Sequence, residues 1–442
     1  MADLATELAW LDAHLDHESG SVGVAAGQVE GLDLAAMREL VGLLGDPQAD
    51  VPVIHVTGTN GKGSTAAMLT ALLRAHGLSV GSYTSPHLER VNERIRRDGE
   101  PIDDVDLAEV LAGVRAVEPM LSQPATWFEL VTAAALRWFA EAPVDVAVVE
   151  VGLLGRYDAT NVVDGRVAVI TSIGGDHTDF APGWEAAVCS EKAGIVRPEA
   201  TAVLGPLPAE LRAVVAAEGP ARLWADGVDF EVLSERVAIG GRLLDVQGAL
   251  GRYEEVFLPL HGSHQAANAA VAIAAVEAFF DRPLDPEVVR EGLAAVELQG
   301  RVEVVSHQPL VVLDGAHNPD ALRALAATVD DEFAAVGARL VVVGQLAGRD
   351  PAATADALRA LRPDLVVCTT AAEGERGLPA ERLGAACEAA GLPTEVMSDP
   401  VRAVTLALGR AQEEDLVVVA GSFRLLAPAR RALARSGPGT PP

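Results

Sequence analysis

Seven consecutive residues carry the densest chemistry in the chain: Gly58-Thr59-Asn60-Gly61-Lys62-Gly63-Ser64. They stand between a short apolar run, VPVIHVT at 51–57, and a stretch of helix-forming residues from Lys62 to His76. A glycine-rich turn from strand to helix lets backbone N–H groups close around an anion where a Cβ would block the approach, and it aims a helix N-terminus at the charge. Lys62 adds a cation for terminal phosphates and Ser64 a hydroxyl for Mg2+. The loop is two residues tighter than the GxxxxGKS/T spacing, with Gly63 between Lys62 and Ser64. A bare glycine turn is the alternative, but the placement points to nucleotide phosphate held by Thr59, Asn60, Gly61, Lys62, Gly63 and Ser64.

Other candidates sit at the ends of apolar runs. Glu150 closes the run AVVEVG, at the carboxyl edge of a sheet, where open α/β folds bind ligands. Near a phosphate loop it reads as an oxygen ligand for Mg2+; by position alone it could equally be a buried acid paired with an arginine. His177 follows the next run within GGDHTD, and Ser85 follows LSVGSYT as a turn residue before Pro86. Lys192, in SEKAGI, reads by itself as a solvated charge. Asn268 lies near the start of the apolar stretch 263–280, a capping or first-turn position. Arg301 falls in a linker, Asp314 and His317 in DGAHNP, and Ser422 in GSF.

These residues need a frame. Continuous β-branched runs at 51–57, 78–84, 144–152 and 166–173, separated by helices near 104–117 and 126–141, predict parallel strands covered on both faces. Residues 228–258, with glycine turns and short alternating runs, predict antiparallel hairpins at the side of that sheet. From Arg301 a second βα series follows, with strands at 311–315, 339–344, 364–370, 394–398 and 415–422. The fold class is therefore α/β: a P-loop ATPase domain with a mainly parallel sheet over 1–297, then a Rossmann-like α/β domain over 298–434. Residues 435–442, ending SGPGTPP, are expected to be a disordered tail.

Charge and composition exclude some partners. The 442 residues carry 34 basic and 63 acidic side chains, a formal charge of −29. Nucleic acid and anionic membrane both require positive surface, so neither is expected as a partner. Three distant cysteines (Cys189, Cys368, Cys387) suggest a reducing cytoplasm. No leader pattern opens the chain, and the longest apolar segment, Ala266 to Phe280, is too short to span a bilayer. A cytoplasmic monomer acting on small molecules is the expectation.

The tight loop TGTNGKGS resembles that of the Mur ligase superfamily, and specifically of its folylpolyglutamate synthase/dihydrofolate synthase family. Further segments resemble the family in the same order: YTSPHLERVNERI, EVGLLGRYDATN, TSIGGDHTDF, EKAGI, HGSHQAANAA, QGR, DGAHNP and GSF. The resemblance runs from about residue 20 to 425 and implies ATP and two Mg2+ sites. It assigns Ser64 to one metal, and Ser85, Glu150 and His177 to the second. Lys192 becomes a lysine carbamylated by CO2, which requires a deprotonated amine, favoured by burial. Asn268 would meet adenine, Arg301 the phosphates, Asp314 the ribose and His317 the γ-phosphate side, while Ser422 would receive the amino acid. Lys62, Glu150, His177 and Lys192 form the implied catalytic set, with a monovalent cation as a further candidate ligand.

The activity that the resemblance implies is that of a ligase joining L-glutamate to dihydropteroate, to a folyl-polyglutamate, or to both, through an acyl phosphate. Arg90, Arg94 and Arg96 are candidates for drawing in an anionic substrate. Only 57 residues precede Gly58, too few for the additional UDP-sugar domain of a peptidoglycan Mur ligase. A Mur-type ligase for another carboxylate, or a non-catalytic nucleotide-binding protein, are the alternatives. Three segments depart from the family: Leu154-Gly155-Arg156 stands for GGR, Gln299-Gly300-Arg301 for PGR, and GQLAGRD at 344–350 for GxLxDKD. The first two bear on loop rigidity, the third on amino-acid specificity.

Overall fold

The computed structural model describes residues 2–15, 33–176, 178, 180–333, 337–372 and 376–436. His177 and residues 437–442 of the expected tail lie outside the described residues.

The first half is built on eight strands: β1 (Val53–Thr57), β2 (Val80–Tyr83), β3 (Ile95–Arg97), β4 (Glu100–Pro101), β5 (Val146–Glu150), β6 (Gly165–Ile170), β7 (Thr201–Leu204) and β8 (Arg222–Ala225). Their spatial order is β4-β3-β2-β5-β1-β6-β7-β8. All neighbours from β2 to β8 run parallel, and β3 and β4 turn back antiparallel at one edge. β1 and β5 are buried along their whole length because helices cover both faces, which is why they read as unbroken apolar runs. One face meets the helices Lys62–Ala75 and Ser263–Phe280; the other meets Asp104–Val117 and Trp127–Glu141. The alanines of Ser263–Phe280, almost all buried, let that helix approach its neighbours closely.

Residues 228–258 do form antiparallel strands, hydrogen-bonded among themselves. β9 (Glu231–Ala238), β10 (Gly241–Gln247) and β11 (Arg252–Leu258) make a separate three-stranded sheet. Its Leu244, Val246, Tyr253 and Val256 join the core under Ser263–Phe280.

The second half holds β12 (Glu303–His307), β13 (Leu310–Leu313), β14 (Arg339–Val343), β15 (Leu365–Cys368), β16 (Thr394–Val396) and β17 (Leu416–Ala420), in the order β12-β13-β17-β14-β15-β16. Only β12 is antiparallel to its neighbour. The strands β3, β4, β7, β8 and β12 escaped the sequence reading: they have two to five residues, and β12 is half-exposed and mixed in character. Residues 435 and 436, expected in the tail, continue the helix Leu426–Ser436. Among the described residues no helix is long and apolar enough to cross a membrane.

Candidate active site

The loop after β1 is shaped by contact. Gly58 and Gly61 have φ of +153° and +87°. A Cβ on Gly58 would stand 1.9 Å from Thr171 Oγ1, and one on Gly61 2.5 Å from Asn268 Oδ1. Both glycines are therefore required by backbone and space together. Gly63 differs: its Cβ position lies in ordinary contact with Glu150 Oε2 at 3.6 Å and Arg301 Nη2 at 3.9 Å. No side chain caps the helix that starts at Lys62, so the loop presents a helix N-terminus suited to an anion.

The segment after β6 scaffolds this loop, a role the sequence reading missed. Thr59 N–H donates to the Ser172 carbonyl at 2.9 Å, Asn60 N–H to Ser172 Oγ at 2.9 Å, and Thr171 Oγ1 to the Asn60 carbonyl at 2.6 Å. Lys62 folds back so that its Nζ donates to the carbonyls of Gly58 at 2.9 Å and Thr59 at 3.3 Å.

Glu150, 2% exposed, ends β5 beside β1, with Val56 as its register partner. Its Oε2 accepts the Ser85 N–H at 3.1 Å, which brings the TSPH turn to the loop. Ser64 is buried in the first turn of its helix. A hydroxyl and a carboxylate converging on a phosphate loop are the hard oxygen donors that Mg2+ takes. Among the described residues no cluster of three or more His, Cys, Asp or Glu is arranged around a metal position; Ser64 and Glu150 are described side chains that could give oxygen to Mg2+ at this loop.

Lys192 is not the solvated charge its isolated sequence suggests. It is 4% exposed, and its Nζ donates to the Gly58 carbonyl at 3.0 Å. Burial, followed by the neighbouring charge of Lys62, pulls its pKa down to about 7, so this amine gives up its proton far more readily than a solvated lysine does. Asn268, the sixth residue of Ser263–Phe280, is not a cap: the N-cap is Gly262. Asn268 Nδ2 donates to Gln265 Oε1 at 3.0 Å.

The second half reaches this loop from the carboxyl ends of its strands. Asp314, following β13, accepts the N–H groups of Val302 at 2.7 Å and Ala316 at 2.7 Å; burial pushes its pKa up, while Arg301 pulls it down. The Arg301 guanidinium stacks 4.2 Å over the Phe423 ring, and burial lowers its pKa against the fields of Asp314 and Glu150. His317 Nε2 lies 3.4 Å from Asp176, and burial, then Arg349, lowers its pKa. Ser422, also buried, accepts the Arg424 N–H at 3.2 Å.

All these groups line one cleft of about 980 Å³ between the halves. Two further residues, not nominated from the sequence, join this site: Asn318, which bonds the phosphate loop, and Arg349, which lines the cleft. Asn318 Nδ2 donates to Asn60 Oδ1 at 3.0 Å. Arg349, from the divergent GQLAGRD segment, donates to the His317 carbonyl at 2.7 Å and lies 3.6 Å from Asp176. Of the three arginines nominated for an anionic substrate, only Arg94 lines the cleft, stacked 4.7 Å over Trp127. Arg90 pairs with Asp104, and Arg96 donates to the carbonyls of Glu93 and Gly99. At the LGR departure, Leu154 takes φ +57°, a conformation that costs a non-glycine residue strain.

A phosphate loop facing the carboxyl ends of a second parallel sheet defines a nucleotide-binding α/β enzyme with its site between two halves. The family model "Mur ligase middle domain" matches residues 56–276, and "Mur ligase, glutamate ligase domain" matches 300–423. A dihydrofolate synthase/folylpolyglutamate synthase of Mycobacterium tuberculosis is 43% identical over 327 residues, covering 68% of this chain and 66% of that protein, slightly less than two thirds of its length. The structure of a folylpolyglutamate synthase from the same organism, complexed with ADP, superposes with a TM-score of 0.88 at 36% identity, covering 97% of this chain and 98% of that one. A bifunctional folylpolyglutamate synthase/dihydrofolate synthase with Mn, AMPPNP and L-glutamate bound superposes with a TM-score of 0.83 at 33% identity, covering 98% of each chain. The chain belongs to the Mur ligase family of ATP-dependent ligases, in its folylpolyglutamate synthase/dihydrofolate synthase branch.

Proposed function

We propose that this ligase joins L-glutamate to the carboxylate of dihydropteroate, of a tetrahydrofolyl-polyglutamate, or of both. A substrate carboxylate oxygen attacks the γ-phosphorus of ATP, the bond to the β-phosphate oxygen breaks, and ADP leaves. The α-amine of glutamate then attacks the carbonyl carbon of the acyl phosphate; inorganic phosphate leaves, and the nitrogen loses a proton to give the amide.

The loop N–H groups and Lys62 hold the terminal phosphates, with Thr59, Asn60, Gly61 and Gly63 shaping the cradle. Ser64, Ser85 and Glu150, together with His177, would hold Mg2+, which when bound neutralises charge on the transferring phosphoryl group. Asn268 lies toward the adenine side; Arg301, Asp314 and His317 act from the other half, and Ser422 lies toward the amino acid. Lys192 carries a carbamate, formed as its neutral Nζ attacks CO2 and releases a proton. Because an acyl phosphate hydrolyses readily, the halves close before chemistry to exclude water. Residues 1–297 and 298–434 act as the two domains of a cytoplasmic monomer.

The observation that carries this reading is the meeting of Glu150 from one half and Arg301 from the other across Gly63, both within 4 Å of its Cβ position. The relatives solved with ADP, and with Mn, AMPPNP and L-glutamate, support it. The test is phosphate release from ATP with dihydropteroate or tetrahydrofolate, with and without glutamate. Release that needs both the pterin acid and glutamate is the expected outcome; release indifferent to either substrate would overturn it. Comparing the two acids separates the two synthase activities.

A further inference from the structure

Away from the phosphate loop, a buried ionic cluster ties the two halves together. Arg242, on β10, is 5% exposed at its side chain. Its Nε lies 3.2 Å from Glu235 of β9, and its Nη1 contacts Glu332 and lies 3.3 Å from Asp331. Glu332 ends the helix Pro319–Glu332 of the second half, and its side chain is 1% exposed. The same carboxylate accepts the Gly262 N–H at 2.6 Å and pairs with His261 Nδ1 at 2.7 Å. His261 and Gly262 form the entry to Ser263–Phe280, the helix that carries Asn268. Fit is close here: a Cβ on Gly262 would stand 2.7 Å from Thr328 Oγ1 of the helix that ends at Glu332.

That helix is fastened to the first half at its other end as well. Asn318, its N-cap, donates to Asn60 of the phosphate loop. A rigid rod of 14 residues, about 20 Å long at 1.5 Å per residue, therefore spans the junction with one end at the nucleotide loop and the other at the ionic cluster. Burial alone would raise the pKa of Glu332, but His261, the Gly262 N–H and Arg242 together hold it below the ordinary carboxylate value. The pair is ionised. Buried ion pairs add little stability over apolar packing but demand one geometry, and both charges regain water when separated, which suits a contact that must be specific and reversible. His264, which lines the cleft, lies within the fields of Arg301, Glu332 and Arg242 together.

We propose that Arg242 and Glu332 form a positioning latch that sets the angle of the second half over the phosphate loop, so that Arg301, Asp314 and His317 face Lys62 and Glu150. Its effect on turnover rests on the ligase reading above; its effect on shape does not. The test uses the full chain carrying Arg242→Met, Glu332→Gln or both, read by small-angle scattering, AMPPNP titration and steady-state glutamylation. Each single variant should enlarge the radius of gyration and lower kcat by about ten- to a hundredfold, as small misplacements of reacting groups do. AMPPNP affinity should change far less than kcat. The double variant should be no worse than the poorer single one, the signature of residues acting as a unit.

A lower melting temperature with wild-type scattering and wild-type kcat per folded molecule would reduce the cluster to a structural contact and overturn the latch. Arg242→Lys keeps the charge while losing the fork of contacts; it should fall between wild type and Arg242→Met, and serves if the harsher variants fail to fold. A wild-type protein without glutamylation would refute the ligase reading, while the scattering result would still decide the latch.

Discussion

Lys62 and Lys192 donate to the same oxygen: their Nζ atoms lie 2.9 and 3.0 Å from the Gly58 carbonyl. Burial, and after it the neighbouring ammonium of Lys62 on the same acceptor, bring the pKa of Lys192 down from 10.5 to about 7. Uptake of labelled CO2 at Lys192 should therefore rise as pH increases through about 7. Lys62→Met removes the neighbouring charge, so the uptake curve should move to higher pH, measured by NMR of the protein in labelled bicarbonate. The linkage has a definite sign. The folded chain binds fewer protons than the unfolded one between about 7 and 10.5, so this group's contribution is full above 10.5 and is lost as pH falls to about 7. Lys192→Met should flatten that part of the stability curve in denaturant titrations.

Gly61→Ala and Gly63→Ala should fail in different ways. Gly61 has φ +87° and no room for a Cβ beside Asn268, so alanine there should cost about 1–2 kcal/mol or more of stability and lower the melting temperature. Gly63 has space for a methyl group but opens toward Glu150 and Arg301. Gly63→Ala should melt near wild type yet bind AMPPNP weakly by calorimetry.

Glu150→Gln keeps the shape of the side chain and an oxygen that can accept the Ser85 N–H, while removing the charge. We expect kcat to fall by about 100- to 1000-fold, the scale for losing one pre-arranged electrostatic group, with thermal stability little changed. Unaltered glutamylation kinetics would remove Glu150 from the metal site.

Arg94 and Arg90 give a contrast in one short segment. Arg94 is buried, stacks on Trp127 and lines the cleft; Arg90 is exposed and paired with Asp104. Arg94→Ala should raise KM for the folate-type substrate by about tenfold, the scale of one charge-assisted contact, whereas Arg90→Ala should leave KM within about twofold, as surface pairs contribute little.

Legibility in the sequence tracked the range of the interactions. The phosphate loop, the long parallel strands and their covering helices are local patterns: apolar runs whose length and flanking glycines state their own structure. The resemblance extended this to Glu150, Lys192 and Arg301 by order along the chain. Short or half-exposed elements such as β3, β8 and β12 carry too few residues for a periodic signal and form because a neighbouring edge accepts them.

By itself the sequence determined the strand–glycine–helix turn at Gly58 to Ser64, the two βα series and the acidic character of the chain, because each depends on residues close to one another or on simple charge. Only the tertiary structure decided that Lys192, 134 residues from Gly58, loses its solvent and with it much of its hold on a proton. It alone set Asn318 against Asn60 across 258 residues, and Glu332 between Arg242 and His261. Desolvation and close pairing of charges are properties of packed neighbours, and the identity of those neighbours is written in the fold rather than in the local chain.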